Sequence, residues 1–315
     1  MSVPASTPST VSLHVGSPAD ANGEADARVC PACCSTSWSA SGFLADGRFP
    51  LVHCEGCGLG ALRIADSDEG GFDEYWSEVN QRIYADPAVV GELAAKYERH
   101  YRREQPALPN KRFLDVGSGA GVSVGTAAKL GFQAVGIEPS AKAVALSRQH
   151  YDAPITHGLL GADDALPRDF GLLSLWDVIE HVEDPEALVR ACHAHLAPGG
   201  AMILETPDEG ALLRRLIVAE GRVAIGPLDL RRSIYYRAHR YYFTRAAMTR
   251  LLERCGFTQL RYYSEHTMFE KELRKKALYD AMPVWRQRVL RVVFALLRAT
   301  PLLANKMVVV AYKAA

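Results

Sequence analysis

Phe113-Leu-Asp115-Val-Gly117-Ser118-Gly119-Ala-Gly121 is the stretch that decides the fold. Phe113–Val116 is a short apolar run that reads as a strand, and Val122–Leu130 reads as a helix. The glycines between them permit positive φ and let a ligand touch the backbone, while the helix N-terminus offers free N–H groups. Their spacing is G-x-G-x-G, so the third glycine of a dinucleotide fingerprint would fall on Val122. Asp115 precedes the first glycine by two residues and would repel a pyrophosphate; a carboxylate there suits a positive amino group. Glu138 follows 23 residues after Asp115, at the end of a second strand, where an acid accepts both hydroxyls of a ribose. A free amine, a ribose and no phosphates describe S-adenosylmethionine.

The same alternation continues outward. Gln133–Ile137 reads as a strand, Ala141–His150 as a helix, Phe170–Trp176 as a buried strand, Pro185–Leu196 as a helix and Ala201–Glu205 as a strand. Such β-α alternation predicts an α/β fold with a parallel sheet covered on both faces. After Pro207 an Arg-rich insertion runs to about Arg240. Helix Ala246–Cys255, strand Thr258–Tyr263, more helix and a final strand Lys306–Tyr312 follow. Upstream, residues 71–104 read as helical, and Pro106 and Pro109 punctuate the chain. The expected division is a disordered Ser/Pro/Ala/Thr tail (1–28), a cysteine module (29–66), a helical lid or linker (67–110) and the α/β domain (111–315) with basic insertions at 208–240 and 264–305.

Five of the seven cysteines fall between Cys30 and Cys57. Cys30-Pro-Ala-Cys33 and Cys54-Glu-Gly-Cys57 form two C-x-x-C knuckles, and four thiolates so arranged close a tetrahedron around Zn²⁺. A segment of this size has too little core to fold alone. Cys34 either replaces Cys33 as a ligand or remains a free thiol. Cys192 and Cys255 lie in apolar helical contexts and read as core. A four-Cys site keeps no open coordination position, so the module is structural or recognises a partner.

Charge is balanced at 36 basic and 36 acidic residues. The balance hides an asymmetry: residues 1–210 carry 15 Lys+Arg against 29 Asp+Glu, and residues 211–315 carry 21 against 7. A uniformly basic nucleic-acid binder is therefore not expected, whereas the C-terminal third suits an anionic contact. No run approaches the ~20 apolar residues of a membrane span. Nor is there a secretory signal with a basic start, the first Lys or Arg being Arg28. The expected location is cytoplasmic.

Four motifs, Leu114-Asp-Val-Gly-Ser-Gly-Ala-Gly, Val135-Gly-Ile-Glu-Pro, Leu175-Trp-Asp-Val-Ile-Glu-His-Val-Glu-Asp-Pro185 and Leu196-Ala-Pro-Gly-Gly200, resemble those of class I S-adenosylmethionine-dependent methyltransferases. His239-Arg-Tyr-Tyr-Phe-Thr and Leu252-Glu-Arg-Cys-Gly-Phe257 extend the likeness to about Tyr263. It is nearest the small-molecule branch carrying an N-terminal zinc-ribbon-like module. The resemblance implies a doubly wound, seven-stranded Rossmann-like sheet whose last strand, Lys306–Tyr312, is antiparallel. Gly171 departs from it, since the family often carries Asp there. By resemblance, Asp115, Gly117, Gly119 and Glu138 hold the cofactor, with Ser118 and Gly121 lining the loop. Leu159 or Leu160 flanks the adenine, and Trp176 and Asp177 lie beside the methionine end. Tyr75 and Trp76 either close over the cofactor or simply pack.

His181 follows the fourth strand, at the lip where such sheets bind ligands, and serves as general base or, with Glu180, braces the loop. His239 is a rival base from the acceptor side. Asp177, Glu180 and His181 are together similar to the E-x-x-E-H of quinone-pathway O-methyltransferases, which is associated with a divalent metal. The implied activity is methyl transfer to a small or lipid-linked acceptor, sugars included, foremost at oxygen. RNA methylation is the rival reading, opposed by the acidic N-terminal part that would have to approach phosphates. Finally, Val284–Arg298 reads as a helix with a basic stripe (Arg288, Arg291, Arg298) beside a wide apolar face containing Trp285. Such a helix either lies in an anionic membrane surface, on the inner face of a membrane, or packs within the protein.

Overall fold

The computed structural model describes residues 28–45, 48–64, 72–151, 153–161, 165–220, 234–235, 238–267, 283–285, 288, 292 and 300–315. The expected tail up to residue 27 and most of residues 284–298 lie outside the described residues. Of the latter stretch Val284, Trp285, Arg288 and Val292 are described, and all four are exposed. No helix among the described residues is long and apolar enough to cross a membrane.

The N-terminal part supplies strands β1 (Trp38–Ala45), β2 (Phe49–Cys54) and β3 (Gly60–Leu62), then helices α1 (Phe72–Tyr75), α2 (Glu78–Ala85) and α3 (Pro87–Glu104). The α/β part runs β4 (Arg112–Val116), α4 (Val122–Lys129), β5 (Gln133–Glu138), α5 (Ala141–His150), β6 (Ile155–His157), β7 (Phe170–Trp176), α6 (Pro185–His195) and β8 (Leu196–Pro207). It continues with α7 (Leu212–Glu220), β9 (Tyr241–Tyr242), α8 (Arg245–Arg254), β10 (Phe257–Glu265) and β11 (Lys306–Lys313). The main sheet has seven strands in the order β10-β11-β8-β7-β4-β5-β6, with β11 antiparallel to both neighbours. The doubly wound sheet with its inserted last strand is as the sequence predicts.

Period-2 alternation sends side chains of each strand to opposite faces. Leu114, Val116, Leu173, Leu175, Met202 and Leu204 pack on one side with α6, α8 and the cysteine knuckles. Phe113, Leu172, Trp176, Ala201 and Ile203 pack on the other beneath α3, which contributes Val89, Leu93, Tyr97 and Tyr101. A second, four-stranded sheet runs β1-β2-β3-β9, so the strands flanking the second knuckle are completed by two residues from far along the chain.

The Gly171 departure has a steric cause. Asn110 Oδ1 accepts from both Arg112 N (2.8 Å) and Gly171 N (3.0 Å), clamping β4 to β7. A Cβ at residue 171 would run into the Asn110 carbonyl oxygen. Gly171→Ala is therefore expected to destabilise the chain by about 1–3 kcal/mol, the range for overpacking a filled site. Urea denaturation measures this, and an unchanged midpoint would show that the clamp yields freely.

Candidate active site

The glycine loop and the segment after β7 meet at the C-terminal edge of the sheet. Gly117 (φ +70°) leaves room for Val178, whose Cγ2 would lie 2.6 Å from a Cβ at that position. Gly119 (φ +52°) similarly admits the ring of Trp76, at 2.9 Å. The Trp76 side chain is buried there against Ala120, Ala143 and Leu146. Glu138, at the tip of β5, is fixed by two backbone amides: Gly119 N donates to Oε2 (2.8 Å) and Ser140 N to Oε1 (2.9 Å). The Ser118 hydroxyl turns inward, donating to the Asp115 carbonyl (2.7 Å), so only its backbone borders the loop. Gly121 (φ +90°) begins α4 and packs on Ala153 and Ile155, while Leu159 is exposed beyond β6.

Asp115 is not at the open lip that its place in the motif suggests. β4 alternates, so its carboxyl shares the face of Phe113 and lies under α3. Its Oδ1 accepts from Ser174 Oγ at 2.5 Å. Ser174 and Ser123 both contact Tyr101 Oη (3.2 and 2.7 Å), which accepts from Trp176 Nε1 (2.9 Å). Trp176 thus sits beneath α3 against Tyr97, with Lys96 Nζ 5.0 Å from its ring. Burial pushes the Asp115 carboxyl up to about 7, although the Ser174 and Ser123 hydroxyls pull the other way.

The two rival bases are neighbours. His181 and His239 stack edge to face with ring centroids 4.6 Å apart. Arg240 N and Tyr241 N both donate to the Glu180 carbonyl (2.8 and 3.2 Å), locking the second histidine's segment to the first's. His181 Nδ1 donates to the Ala238 carbonyl (2.5 Å), which puts the ring's lone pair on Nε2. His239 is buried, and desolvation, then the facing His181, hold it well below the usual histidine range. Glu180, fully buried, accepts from Thr206 Oγ1 (3.0 Å); burial, then Asp177, push its carboxyl up to about 8.

Ligand atoms of Glu180, His181 and His239 lie within 4.8 Å of one another, as do those of Cys30, Cys33, Cys54 and Cys57. Asp177 stands outside the first group, contrary to the D-x-x-E-H reading. Its carboxylate takes both contacts from Lys306 Nζ (2.5 and 2.6 Å), and an ammonium so placed opposes a cation on the same oxygens. The sulfurs pair at 3.6 Å (Cys30, Cys57) and 3.5 Å (Cys33, Cys54), near the ~3.8 Å edge of a tetrahedron with 2.3 Å zinc–sulfur bonds. The donor set fits zinc. Cys34, exposed and in a left-handed turn (φ +61°), is not in the group, whereas Cys33 is.

The sequence reading missed Lys96, Glu205 and Lys306. Lys96 Nζ (2.7 Å) and Lys306 Nζ (3.1 Å) both donate to the buried Glu205 Oε1. A signal existed, because Glu205 closes an apolar strand just as Glu138 does, and Lys306 opens one.

The profile of a family described as a methyltransferase domain matches residues 90–262. A ubiquinone biosynthesis O-methyltransferase of Rhodopseudomonas palustris is 35% identical over 115 residues, covering 35% of this chain and 45% of that protein. One of the same description from Xanthomonas campestris is 30% identical over 147 residues, 45% of this chain and 59% of that protein. The chain thus spans about half the length of the curated relatives it matches. Among solved structures, a protein of Pyrococcus horikoshii superposes with a TM-score of 0.52 at 14% identity, covering 77% of this chain and all of that one. Magnesium protoporphyrin IX methyltransferase of Synechocystis gives 0.50 at 15%, covering 76% and 97%. These two likenesses establish the fold.

The Asp115 carboxyl keeps its proton in the folded chain from about pH 4 to about 7, where the unfolded chain has already lost it. Its contribution to stability accordingly falls as pH rises through that interval. Asp115→Asn, which does not ionise, is expected to lose this slope in denaturation midpoints taken across the interval. Parallel pH profiles for the two proteins would contradict the assignment.

Proposed function

The chain belongs to the methyltransferase-domain family, and from that membership we propose that it transfers a methyl group from S-adenosylmethionine to an oxygen of a small-molecule acceptor. The observation that carries the reading is the contact of Val178 with Gly117, which brings the glycine loop and the His181–His239 pair to one edge of the sheet. The description of the relatives as O-methyltransferases supports oxygen as the acceptor atom, and RNA methylation is not favoured.

The residues fit this cofactor. Gly117 and Gly119 hold positive φ in a loop closely approached by Val178 and Trp76, and no basic side chain lies between Asp115 and Val122 to meet phosphates. Glu138 accepts the ribose hydroxyls, and Asp115, hydrogen-bonded to Ser174, supports the loop at the ammonium end from beneath. Ser118 and Gly121 shape the loop, Leu159 flanks the adenine, and Trp176 and Asp177 form the wall at the methionine end. When bound, S-adenosylmethionine supplies a methyl group on a sulfonium, a leaving group already activated for in-line displacement, so alignment provides much of the acceleration. His181 Nε2 takes the proton of the acceptor hydroxyl while its Nδ1–H stays on the Ala238 carbonyl, which fixes the ring. His239, neutral at physiological pH, orients His181 across the stacked rings and borders the acceptor.

Zinc on Cys30, Cys33, Cys54 and Cys57 is structural in this reading. A second reading, favoured by the 4.8 Å grouping, gives Glu180, His181 and His239 to a divalent cation that orients the acceptor. Chelator treatment that spares zinc separates the two, since activity survives it under the base reading. The exposed Val284, Trp285 and Val292, with Arg288, belong to a basic amphipathic stretch that we read as a contact with an anionic membrane surface carrying a lipid-linked acceptor.

Glu138→Ala is expected to weaken S-adenosylmethionine binding at least about tenfold, a charged hydrogen bond contributing ~1.5–3 kcal/mol; calorimetry showing wild-type affinity would remove it from the site. His181→Gln should lower kcat about 10²-fold or more while leaving cofactor affinity unchanged. With labelled S-adenosylmethionine and fractionated extract, label should enter the soluble-metabolite or lipid fraction. Transfer to RNA alone would overturn the proposal, and label in lipid would support the membrane contact.

A further inference from the structure

His239 reaches His181 from a segment with little structure of its own. The strand that follows it, β9, is two residues long. Two residues bury too little to hold an extended conformation against chain entropy, so the geometry at His239 must be imposed from outside.

The segment is gripped from both sides. On one side are the Glu180, Ala238 and His181 hydrogen bonds already described, with Tyr241 Oη donating to the Glu183 carbonyl (3.2 Å). On the other side is the cysteine module. β9 pairs antiparallel with β3, Gly60 opposite Tyr242 and Ala61 opposite Tyr241, and Leu62 N donates to the Arg240 carbonyl (2.9 Å). Thr244 Oγ1 donates to the Cys57 carbonyl (2.9 Å) in the second knuckle while accepting from Ala247 N (3.1 Å), so one hydroxyl both caps α8 and tethers it to the cysteines. Arg254, at the other end of α8, donates to the Pro31 carbonyl (2.9 Å) in the first knuckle. Behind Tyr242, Arg214 lies over the rings of Tyr235 and Tyr242 and donates to Glu209 (3.0 Å), which His53 of β2 also contacts (3.4 Å).

We propose that the four-Cys module is the positioning element for His239, with β3 as the template on which β9 forms and the knuckles as the anchor that keeps it opposite His181. This rests on the reading of His239 as part of the acceptor site. The module acts through backbone pairing and needs no contact with acceptor or cofactor. Gly60 is where the device is most exposed to test: a Cβ there would lie 3.1 Å from Tyr242 Cβ and 3.5 Å from the His53 ring, so a branched side chain pushes β9 off its template.

The experiment uses the full-length, zinc-loaded protein. In Gly60→Val, amide hydrogen exchange at Arg240 and Tyr241 is expected to quicken at least tenfold while β4 and β5 keep their protection. kcat should fall at least tenfold with S-adenosylmethionine affinity unchanged. Gly60→Ala should be intermediate, and removal of zinc from the wild-type chain should reproduce the exchange pattern of Gly60→Val. Unchanged exchange at 240 and 241 in both Gly60→Val and the zinc-stripped chain would overturn the proposal. So would a uniform loss of protection that includes β4, because the module would then support the whole fold rather than this segment. If exchange quickens as expected but His239→Ala retains the wild-type kcat, the positioning role stands and the reading of His239 fails.

Discussion

One buried carboxylate gathers the parts of this molecule that meet at the site. Glu205, fully buried at the end of β8, accepts from Lys96 of α3 and from Lys306 of β11, and its carbonyl accepts from Asp177 N at 3.1 Å. Helix, last strand and the loop after β7 are therefore joined at one residue. Two ammonium groups on a single carboxylate offset its desolvation, and Lys306 extends the chain of charge to Asp177. Asp177 needs that hold, because its φ of +55° is a left-handed conformation that a non-glycine residue adopts at a cost. The loop that delivers Glu180 and His181 is thus set by an ion pair whose second partner lies 129 residues away.

That partnership explains what the sequence disclosed and what it withheld. The strands of the sheet were legible because each is a short apolar run in a βα alternation, and Gly117, Gly119, Glu138 and His181 were legible because they sit at fixed offsets from those runs. Lys96 was not, because a lysine on a charged amphipathic helix looks like any solvated residue until the fold buries it on Glu205. The burial of Asp115 was not legible, because which face an alternating strand presents depends on what packs there, here Tyr101. His181 and His239 were read as competitors because nothing local in either motif encodes their meeting. It is set by backbone hydrogen bonds to the Glu180 carbonyl.

The cysteine knuckles offer a similar lesson. Their spacing reads as a compact self-contained unit, yet the folded chain shares their sheet with Tyr241 and Tyr242, and Cys30, Cys54 and Cys57 belong to the same core as Phe243, Met248 and Leu251. A module short of its own apolar surface finds it on α8, which is why sequence proximity understates its reach.

The antiparallel strand β11 has a kinetic consequence. It lies between β8 and β10, not at an edge, so it supplies the hydrogen bonds that join β10 to the rest of the sheet. Its partners Tyr312 and Ala201 are separated by 111 residues, and bringing such distant segments together costs chain entropy before any pairing repays it. Non-local pairings of this kind slow folding. Until β11 arrives, the flanks of β8 and β10 present unpaired strand edges, the surface from which mispairing and aggregation begin. The folding chain therefore passes through a window of vulnerability that closes only when residues 306–313 slot between the two.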